Sequence, residues 1–314
     1  MHSKYLGIDT SNYTSSCAVY DSVNDTMDSR KQLLPVAEGQ MGLRQSDAVF
    51  HHTKNLPPLL ASLCSEHSEG IGIVSASYAP RDAEGSYMPC FSVGEGYAKV
   101  LSAAFNAKDY RFSHQAGHVA AALWSSKKTD LIDKEFIAFH VSGGTTDVLH
   151  VKPDRENVFS IETIGASLDL KAGQAVDRVG VLMGLQFPAG SELDRLAVKS
   201  SSQFKIKPFT KDGSCSFSGL QNKCETMIKN GAEPCDVAKY CIDYIYAAIR
   251  IMTESALQKC GDLPIVYAGG VMSNSIISEK ITKEFSGYFA SPEFSSDNAA
   301  GTAYLGYIKE TRKW

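Results

Sequence analysis

Short apolar runs that break into polar turns punctuate this chain, and the stretches between them carry apolar residues at helical spacing. Tyr5-Leu6-Gly7-Ile8 runs into the hydroxyl-rich segment Asp9-Thr10-Ser11-Asn12-Tyr13-Thr14-Ser15-Ser16 and out through Cys17-Ala18-Val19-Tyr20. This predicts strand, polar turn, strand. The pattern returns in mid-chain, where Phe136 to Val141 predicts a buried strand that breaks at Ser142-Gly143-Gly144-Thr145. Two such hairpins, far apart in sequence, predict a duplicated α/β unit with one copy per lobe.

Between and after the hairpins the pattern is mostly helical. Helices are expected over 47–64, interrupted at Pro57-Pro58, over 92–105 with Ser92 as cap, and over about 113–124. Further helices are expected over 172–183, 237–259, from near Asn274, and over 299–309. Strands are expected at 71–75, 159–164, 264–268 and 288–290. Polar loops are read at 78–89, 184–190 and 295–298, a basic link at 125–128, and a linker-like stretch at 199–215.

A chain of 314 residues is long enough for two domains, each with its own core. No apolar run approaches the roughly 18 residues that a membrane helix needs, and Met1 to Tyr5 leads into a strand without a signal-peptide pattern. The cysteines (Cys17, Cys64, Cys90, Cys215, Cys224, Cys235, Cys241 and Cys260) form no Cys-x-x-Cys pair. Their spacing excludes a zinc knuckle or a small secreted disulfide scaffold and implies reduced thiols in the cytoplasm. A net charge of −4 argues against a chain-wide nucleic-acid surface and leaves room for a local basic patch.

The sharpest chemical pair is His114-Gln115-Ala116-Gly117-His118. Positions i and i+4 of a helix share a face, so both imidazoles can reach one metal ion, and a carboxylate must then complete the donor set. Asp297, in a polar turn before an alanine-rich helix, is the candidate third donor. Two histidines at chance spacing remain the alternative, since no Glu follows His114 as in the zincin pattern. Asp9, Ser11 and the turn Val141-Ser142-Gly143-Gly144-Thr145 are candidates for phosphate contact, with the amides of Ser142 and Thr145 as donors. Asp177 and Asp194, flanking Gly190, suit a ribose diol. Gly269-Gly270 and Asn274, at a strand-to-helix junction, suit a nucleotide; a plain Asn cap fits them equally. The run 199–211, with Lys199, Lys205, Lys207 and Lys211 around Phe204 and Phe209, is either a solvated loop or a contact for single-stranded nucleic acid.

In order along the chain, these segments resemble the universal threonylcarbamoyl transferase family of tRNA modification, formerly described as sialoglycoprotein endopeptidases. The resemblance rests on Gly7-Ile8-Asp9-Thr10-Ser11, His52 to Leu60, His114-x-x-x-His118, Val141-Ser142-Gly143-Gly144 and Ala172-Gly173-Gln174-Ala175-Val176-Asp177. It continues in Phe187-Pro188-Ala189-Gly190, Ser216-Phe217-Ser218-Gly219-Leu220, Ala268-Gly269-Gly270-Val271 with Asn274, and Ser296-Asp297-Asn298-Ala299-Ala300.

The resemblance implies an α/β fold of the actin, sugar-kinase and heat-shock ATPase type, two RNase H-like lobes with the ligand in a cleft. Residues 1–115 would form the first lobe, with the helix 299–314 returning to it, and 116–298 the second. It implies one iron or zinc ion on His114, His118 and Asp297, and an adenylated substrate on the Ser142 loop, Asp177, Gly190, Asp194 and Asn274. The implied reaction passes a threonylcarbamoyl group from threonylcarbamoyl-adenylate to the exocyclic amine of an adenosine beside the tRNA anticodon. tRNA and the partner proteins of that pathway are the implied partners, with no membrane. Three departures stand out: Thr145 where the family has His, Asp169-Leu170 followed by Gln174 where it has two acids and then Glu, and a longer loop Ala79 to Gly85. They keep two alternatives open, a carbamoyltransferase acting on a small molecule or protein through carbamoyl-adenylate, and a non-catalytic nucleotide-binding scaffold.

Overall fold

The first hairpin forms as expected, from β1 (Lys4–Ser11) and β2 (Thr14–Asp21), and β3 (Thr26–Leu33) extends it antiparallel. β4 (Ile71–Ala79) and β5 (Lys108–Ser113) add parallel strands on the other side of β1, giving the order β3-β2-β1-β4-β5. The second hairpin is β6 (Phe136–Val141) and β7 (Thr146–Asp154), followed by β8 (Val158–Ala166). A short pair, β9 (Thr210–Lys211) and β10 (Ser214–Cys215), comes next. β11 (Ile265–Ala268) and β12 (Tyr288–Phe289) then line up parallel beyond β6, so the second sheet reads β12-β11-β6-β7-β8. Both sheets therefore share one plan: three antiparallel strands in sequence order, then two parallel ones beyond the first. The duplication predicted from two hairpins extends to whole sheets.

The structure, a computed structural model, describes residues 3–11, 13–35, 43–295 and 299–312. The chain divides into one compact unit of Met1–Thr129, Pro153–Ser160 and Asp297–Trp314, and another of Asp130–Lys152 and Ile161–Ser296. The helix carrying His118 falls in the first of these, whereas the sequence alone put a boundary after residue 115.

In the first unit, period-2 alternation sorts the residues of β1. Leu6 and Ile8 join Leu56, Leu60 and Leu63 of α1 (Gln45–His67) and Ala98 of α2 (Phe91–Phe105) in one apolar cluster. Tyr5 and Gly7 point the other way, toward the carboxyl-terminal helix Ala300–Thr311, which packs in turn against α3 (His114–Ser125). That packing is tight. A Cβ on Gly7 would stand 2.4 Å from the Ala303 nitrogen, and one on Gly301 would stand 1.7 Å from the Gly117 carbonyl oxygen.

The second unit packs α4 (Ala172–Leu182), α5 (Gly190–Ala197), α6 (Ser218–Lys229), α7 (Pro234–Cys260) and α8 (Ser275–Phe285) around its sheet; the carboxyl-terminal helix above is α9. α7 supplies the largest share of the core, burying Val237, Cys241, Ile245, Ile249 and Met252 along one stripe.

Two expectations differ, and a third is not tested. α1 runs unbroken through Pro57 and Pro58, because buried Leu56, Leu60 and Leu63 hold it to the sheet and the carbonyls released by proline, on Thr53 and Lys54, are at exposed residues. Ser92 does not cap α2; its hydroxyl donates to the Pro89 carbonyl instead. The expected turn at 295–298 lies outside the described residues, Ser295 excepted.

The glycine contacts give a paired expectation. Gly301→Ala forces α9 off α3 and destabilises by roughly 1–3 kcal/mol or more. Gly96→Ala, on the exposed side of α2 with open space around its Cβ position, stabilises by up to about 1 kcal/mol. Denaturant midpoints of the two variants check both signs.

Candidate metal centre and nucleotide loops

α3 begins where β5 ends. Ser113 closes the strand and caps the helix, its hydroxyl accepting from the Ala116 amide (3.2 Å) and donating to Asp82 Oδ2 (2.6 Å). Tyr78 donates to the other oxygen of Asp82 (2.8 Å), and the Gln115 amide donates to the Pro80 carbonyl (3.0 Å). The long loop after Ala79 thus anchors the start of the histidine-bearing helix.

His114 and His118 stand one turn apart with ring centroids 4.4 Å apart and planes at 80°. Their Nε2 atoms are 2.9 Å apart. Two nitrogens held about 2.1 Å from one ion at a right angle lie about 3 Å apart, so this pair fits two cis ligands of a single metal. The third expected donor, Asp297, lies outside the described residues. His114 Nδ1 lies 2.9 Å from Oδ1 of Asp9, whose side chain is fully buried. Ser11, two residues on, is buried at the end of β1. His52, from α1, is also fully buried with Nδ1 on the Ser15 hydroxyl (2.8 Å); burial lowers its pKa, against the pull of Asp9 and the Ser11 backbone.

Among the described residues, three other side chains have metal-ligand spacing: Asp28, Glu66 and His67. Arg30 already pairs with both acids, and His67 Nε2 bonds Asp28 (2.8 Å), so the group reads as an ion-pair cluster tying β3 to the end of α1.

In the second unit the expected loops come together around the end of β6. Gly269 has φ +101°, and a Cβ there would stand 2.2 Å from the Val141 carbonyl oxygen, so the Gly269-Gly270 turn presses directly on β6. Gly173, at the start of α4, meets the Ser142 turn as closely, with a Cβ 2.6 Å from the Gly143 nitrogen. The Ser142 carbonyl accepts from the Gly173 amide (3.1 Å), and the Thr146 hydroxyl accepts from the Ala172 amide (2.9 Å).

Inside the turn the Ser142 amide donates to the Thr145 carbonyl (2.7 Å), and the Ser142 hydroxyl accepts from the amides of Gly144 (3.3 Å) and Thr145 (3.1 Å). The Ser142 and Thr145 amides, expected to be free for a phosphate, are taken up by the turn itself. Gly143, Gly144 and Gly270 are different. None has a positive φ, and among the described residues nothing lies within 4 Å of a Cβ placed on any of them. The fold does not require glycine at these positions, and their open sides let a ligand approach the backbone.

Asp177 Oδ1 accepts from the Ala189 amide (2.9 Å) just before Gly190 opens α5; burial raises its pKa and that hydrogen bond partly offsets it. The Asp194 carboxylate accepts from the Ser275 amide (3.2 Å) and hydroxyl (3.0 Å), and Asn274 Oδ1 accepts from the Ile277 amide (3.0 Å). Asp194 and Asn274 thus meet at the amino terminus of α8, where the Asn is a helix cap.

Sequence reasoning missed Asp169 as a working residue. It receives hydrogen bonds from the Ser216 hydroxyl and the amides of Phe217 (2.8 Å), Ser218 (3.2 Å) and Leu170 (2.6 Å). Burial pushes its pKa up, but these donors win and hold it at about 2. The signal was an acid ahead of the Ser-Phe-Ser-Gly segment, but the partners lie too far along the chain to pair by eye. No cysteine emerges as an activated nucleophile from the raised thiols: burial pushes Cys17 and Cys215 to about 12 and Cys90 to about 11.

The family model described as tRNA N6-adenosine threonylcarbamoyltransferase matches residues 36–304. The chain belongs to this family. Two similar proteins carry the same name. One, from Thermosipho melanesiensis, is 29% identical over 96% of this chain and 93% of its own. The other, from Methanopyrus kandleri, is 29% identical over 85% of this chain and 76% of its own. Among solved structures, component A of the Acidaminococcus fermentans (R)-2-hydroxyglutaryl-CoA dehydratase matches with TM-score 0.57 at 15% identity, over 98% of this chain and 99% of that one. Full-length HypF in its phosphate- and nucleotide-bound form matches with TM-score 0.61 at 12% identity, over 99% of this chain and 56% of that one. At those identities the likeness shows the fold, which is the two-unit α/β fold of the actin, sugar-kinase and heat-shock ATPase type. The chain is thus a member of a transferase family that acts on tRNA.

Asp169 carries a pH expectation. Its pKa is depressed when folded, so its hold on 216–218 is complete above the ordinary carboxylate range and is lost as pH falls toward 2. Asp169→Asn speeds amide hydrogen exchange at Phe217 and Ser218 at neutral pH, and the wild-type protein shows the same rise only in strong acid. Unchanged exchange in the variant would refute the anchoring role.

Proposed function

We propose that this chain transfers a threonylcarbamoyl group from threonylcarbamoyl-adenylate to the exocyclic amine of an adenosine beside the tRNA anticodon. The observation that carries the reading is the Nε2 pair of His114 and His118, 2.9 Å apart on a helix of a chain belonging to this family. His114, His118 and Asp297 are the proposed ligands of one iron or zinc ion. That ion, when bound, would supply Lewis-acid polarisation of the threonylcarbamoyl carbonyl.

The second unit's loops are proposed to hold the adenylate. Gly143, Gly144 and Gly270 offer backbone without side chains to the phosphate, and the α8 terminus with Asn274 offers a positive dipole end. Asp177 and Asp194 would face the ribose hydroxyls, each already oriented by a backbone amide. Holding both reactants converts the transfer into an effectively intramolecular step, which is the largest contribution these residues can make. The amine nitrogen would bond to the carbamoyl carbon as its C–O bond to the phosphate breaks, AMP leaves with the electron pair, and the amine proton passes to solvent.

tRNA is the proposed acceptor, with partner proteins of the pathway, and the cytoplasm is the proposed compartment. Support comes from the eight free cysteines and from the absence, among the described residues, of any helix long and apolar enough to cross a membrane. In the stretch 204–209, Phe204, Ile206 and Pro208 turn inward, while Lys205, Lys207 and Phe209 are exposed. That alternation presents charge and an aromatic face on one side, as a nucleic-acid strand requires.

Purified chain, supplied with its partner proteins, threonylcarbamoyl-adenylate and tRNA, is expected to yield threonylcarbamoyladenosine detectable by mass. His118→Ala lowers the yield by at least about 100-fold. No product from the wild-type assembly, with metal added, would end this reading. Lys205→Glu with Lys207→Glu weakens tRNA binding and reduces the slope of log affinity against log salt by about 1 per lysine. An unchanged slope would remove this stretch from the interface.

A further inference from the structure

Asp9 is a candidate for phosphate contact, and one oxygen of its carboxylate also meets a histidine. Residues 5, 7 and 9 of β1 lie on one face of the strand, the face on which Gly7 meets Ala303 of α9 and Tyr5 meets Tyr307. One strand step beyond Gly7, the fully buried Asp9 side chain meets the first residue of α3, with Oδ1 2.9 Å from His114 Nδ1. Imidazole is the stronger base of the two groups, so the hydrogen of this bond is placed on His114 Nδ1. A hydrogen on Nδ1 leaves the lone pair on Nε2, the atom that stands 2.9 Å from Nε2 of His118.

We propose that Asp9 is the positioning residue of the histidine pair: it fixes His114 as the Nδ1–H tautomer and aims its Nε2 lone pair at the point it shares with His118. The inference rests on the proposed metal site and deepens it. It gives a fully buried acid in β1 a function beyond packing. A carboxylate behind a ligating imidazole sets the ring's orientation and raises its basicity, and losing such a partner weakens metal binding by about 10–100-fold. Asparagine is the informative replacement. Its amide can turn its NH2 toward Nδ1, which favours the opposite tautomer and moves the proton onto Nε2.

The first measurement needs no metal, and a variant only for assignment. Long-range proton–nitrogen correlation spectra of the metal-free wild-type protein, with His114 assigned through His114→Gln, are expected to show Nδ1–H. An Nε2–H tautomer at His114 overturns the proposal. The second measurement is Zn2+ affinity by chelator competition, together with the visible spectrum of the Co2+ form, for wild type, Asp9→Asn, Asp9→Glu and His118→Ala. Asp9→Asn is expected to lower affinity about 10–100-fold and shift the Co2+ bands, with Asp9→Glu recovering part of both. Wild-type affinity and spectrum in Asp9→Asn, alongside loss in His118→Ala, overturn the role of Asp9 and leave the metal site standing. Equal affinity in wild type and His118→Ala overturns the metal site itself.

Discussion

The approach of α9 to β1 and α3 is the constraint on which the first unit's chemistry depends. Helices with ordinary side chains at their contact stand about 8–10 Å apart; Gly7, Gly117 and Gly301 let backbone meet backbone instead. With α9 seated this low on the sheet, α3 lies beside β1 and its first residue reaches Asp9. A side chain at Gly7 or Gly301 would strike backbone and lift α9, loosening the packing that sets His114 against the carboxylate behind it. The carboxyl-terminal segment therefore shapes a site built from residues far earlier in the chain. The loop from Pro80 to Asp82 restrains that same end of the helix, through the Gln115 amide and the Ser113 cap.

The second unit applies the same sheet plan to a different purpose. Its first hairpin also ends beside a helix start, but contact is made by Gly173 and Gly269 rather than by charged side chains. These two glycines are required by sterics, one through close approach and the other also through its positive φ. Among the described residues, nothing requires glycine at 143, 144 or 270. An exposed residue that is glycine without steric cause loses conformational entropy on folding for no structural return. Their open backbone is what the proposed adenylate contact would use.

Much of this was legible in the sequence because the strongest signals are local. The apolar runs at Tyr5 and Phe136 announced both hairpins, and the repeated pattern announced the duplication. The i, i+4 spacing of His114 and His118 was enough to place both rings on one helix face. What escaped reading was set by distant partners or by polar composition. β5, Lys108–Ser113, begins with exposed charged residues and becomes a strand only by pairing with β4. α6 has a polar surface and buries only Leu220 and Cys224, so its periodicity is faint. α5 spans eight residues, too few for a helical period to separate from noise. Asp9 and Asp169 were visible as acids, but their partners lie in other elements.

The departures from the family pattern also acquire physical content. Leu170, where a second acid is expected, packs against the second unit's core, and Gln174 accepts from the Lys171 amide (3.4 Å) at the start of α4. The remaining acid, Asp169, is spent on the start of α6. Each change removes a negative charge near the Ser142 turn or commits it to holding a helix. Under the proposed function, a phosphate approaching Gly143 and Gly144 would face neither the second acid nor the glutamate of the family pattern. The longer Ala79 loop works in the opposite direction in the first unit, adding an anchor to the helix that carries the histidines. The departures thus alter the surroundings of the ligand loops and stiffen the mount of the donor helix, while His114 and His118 keep their identity and spacing.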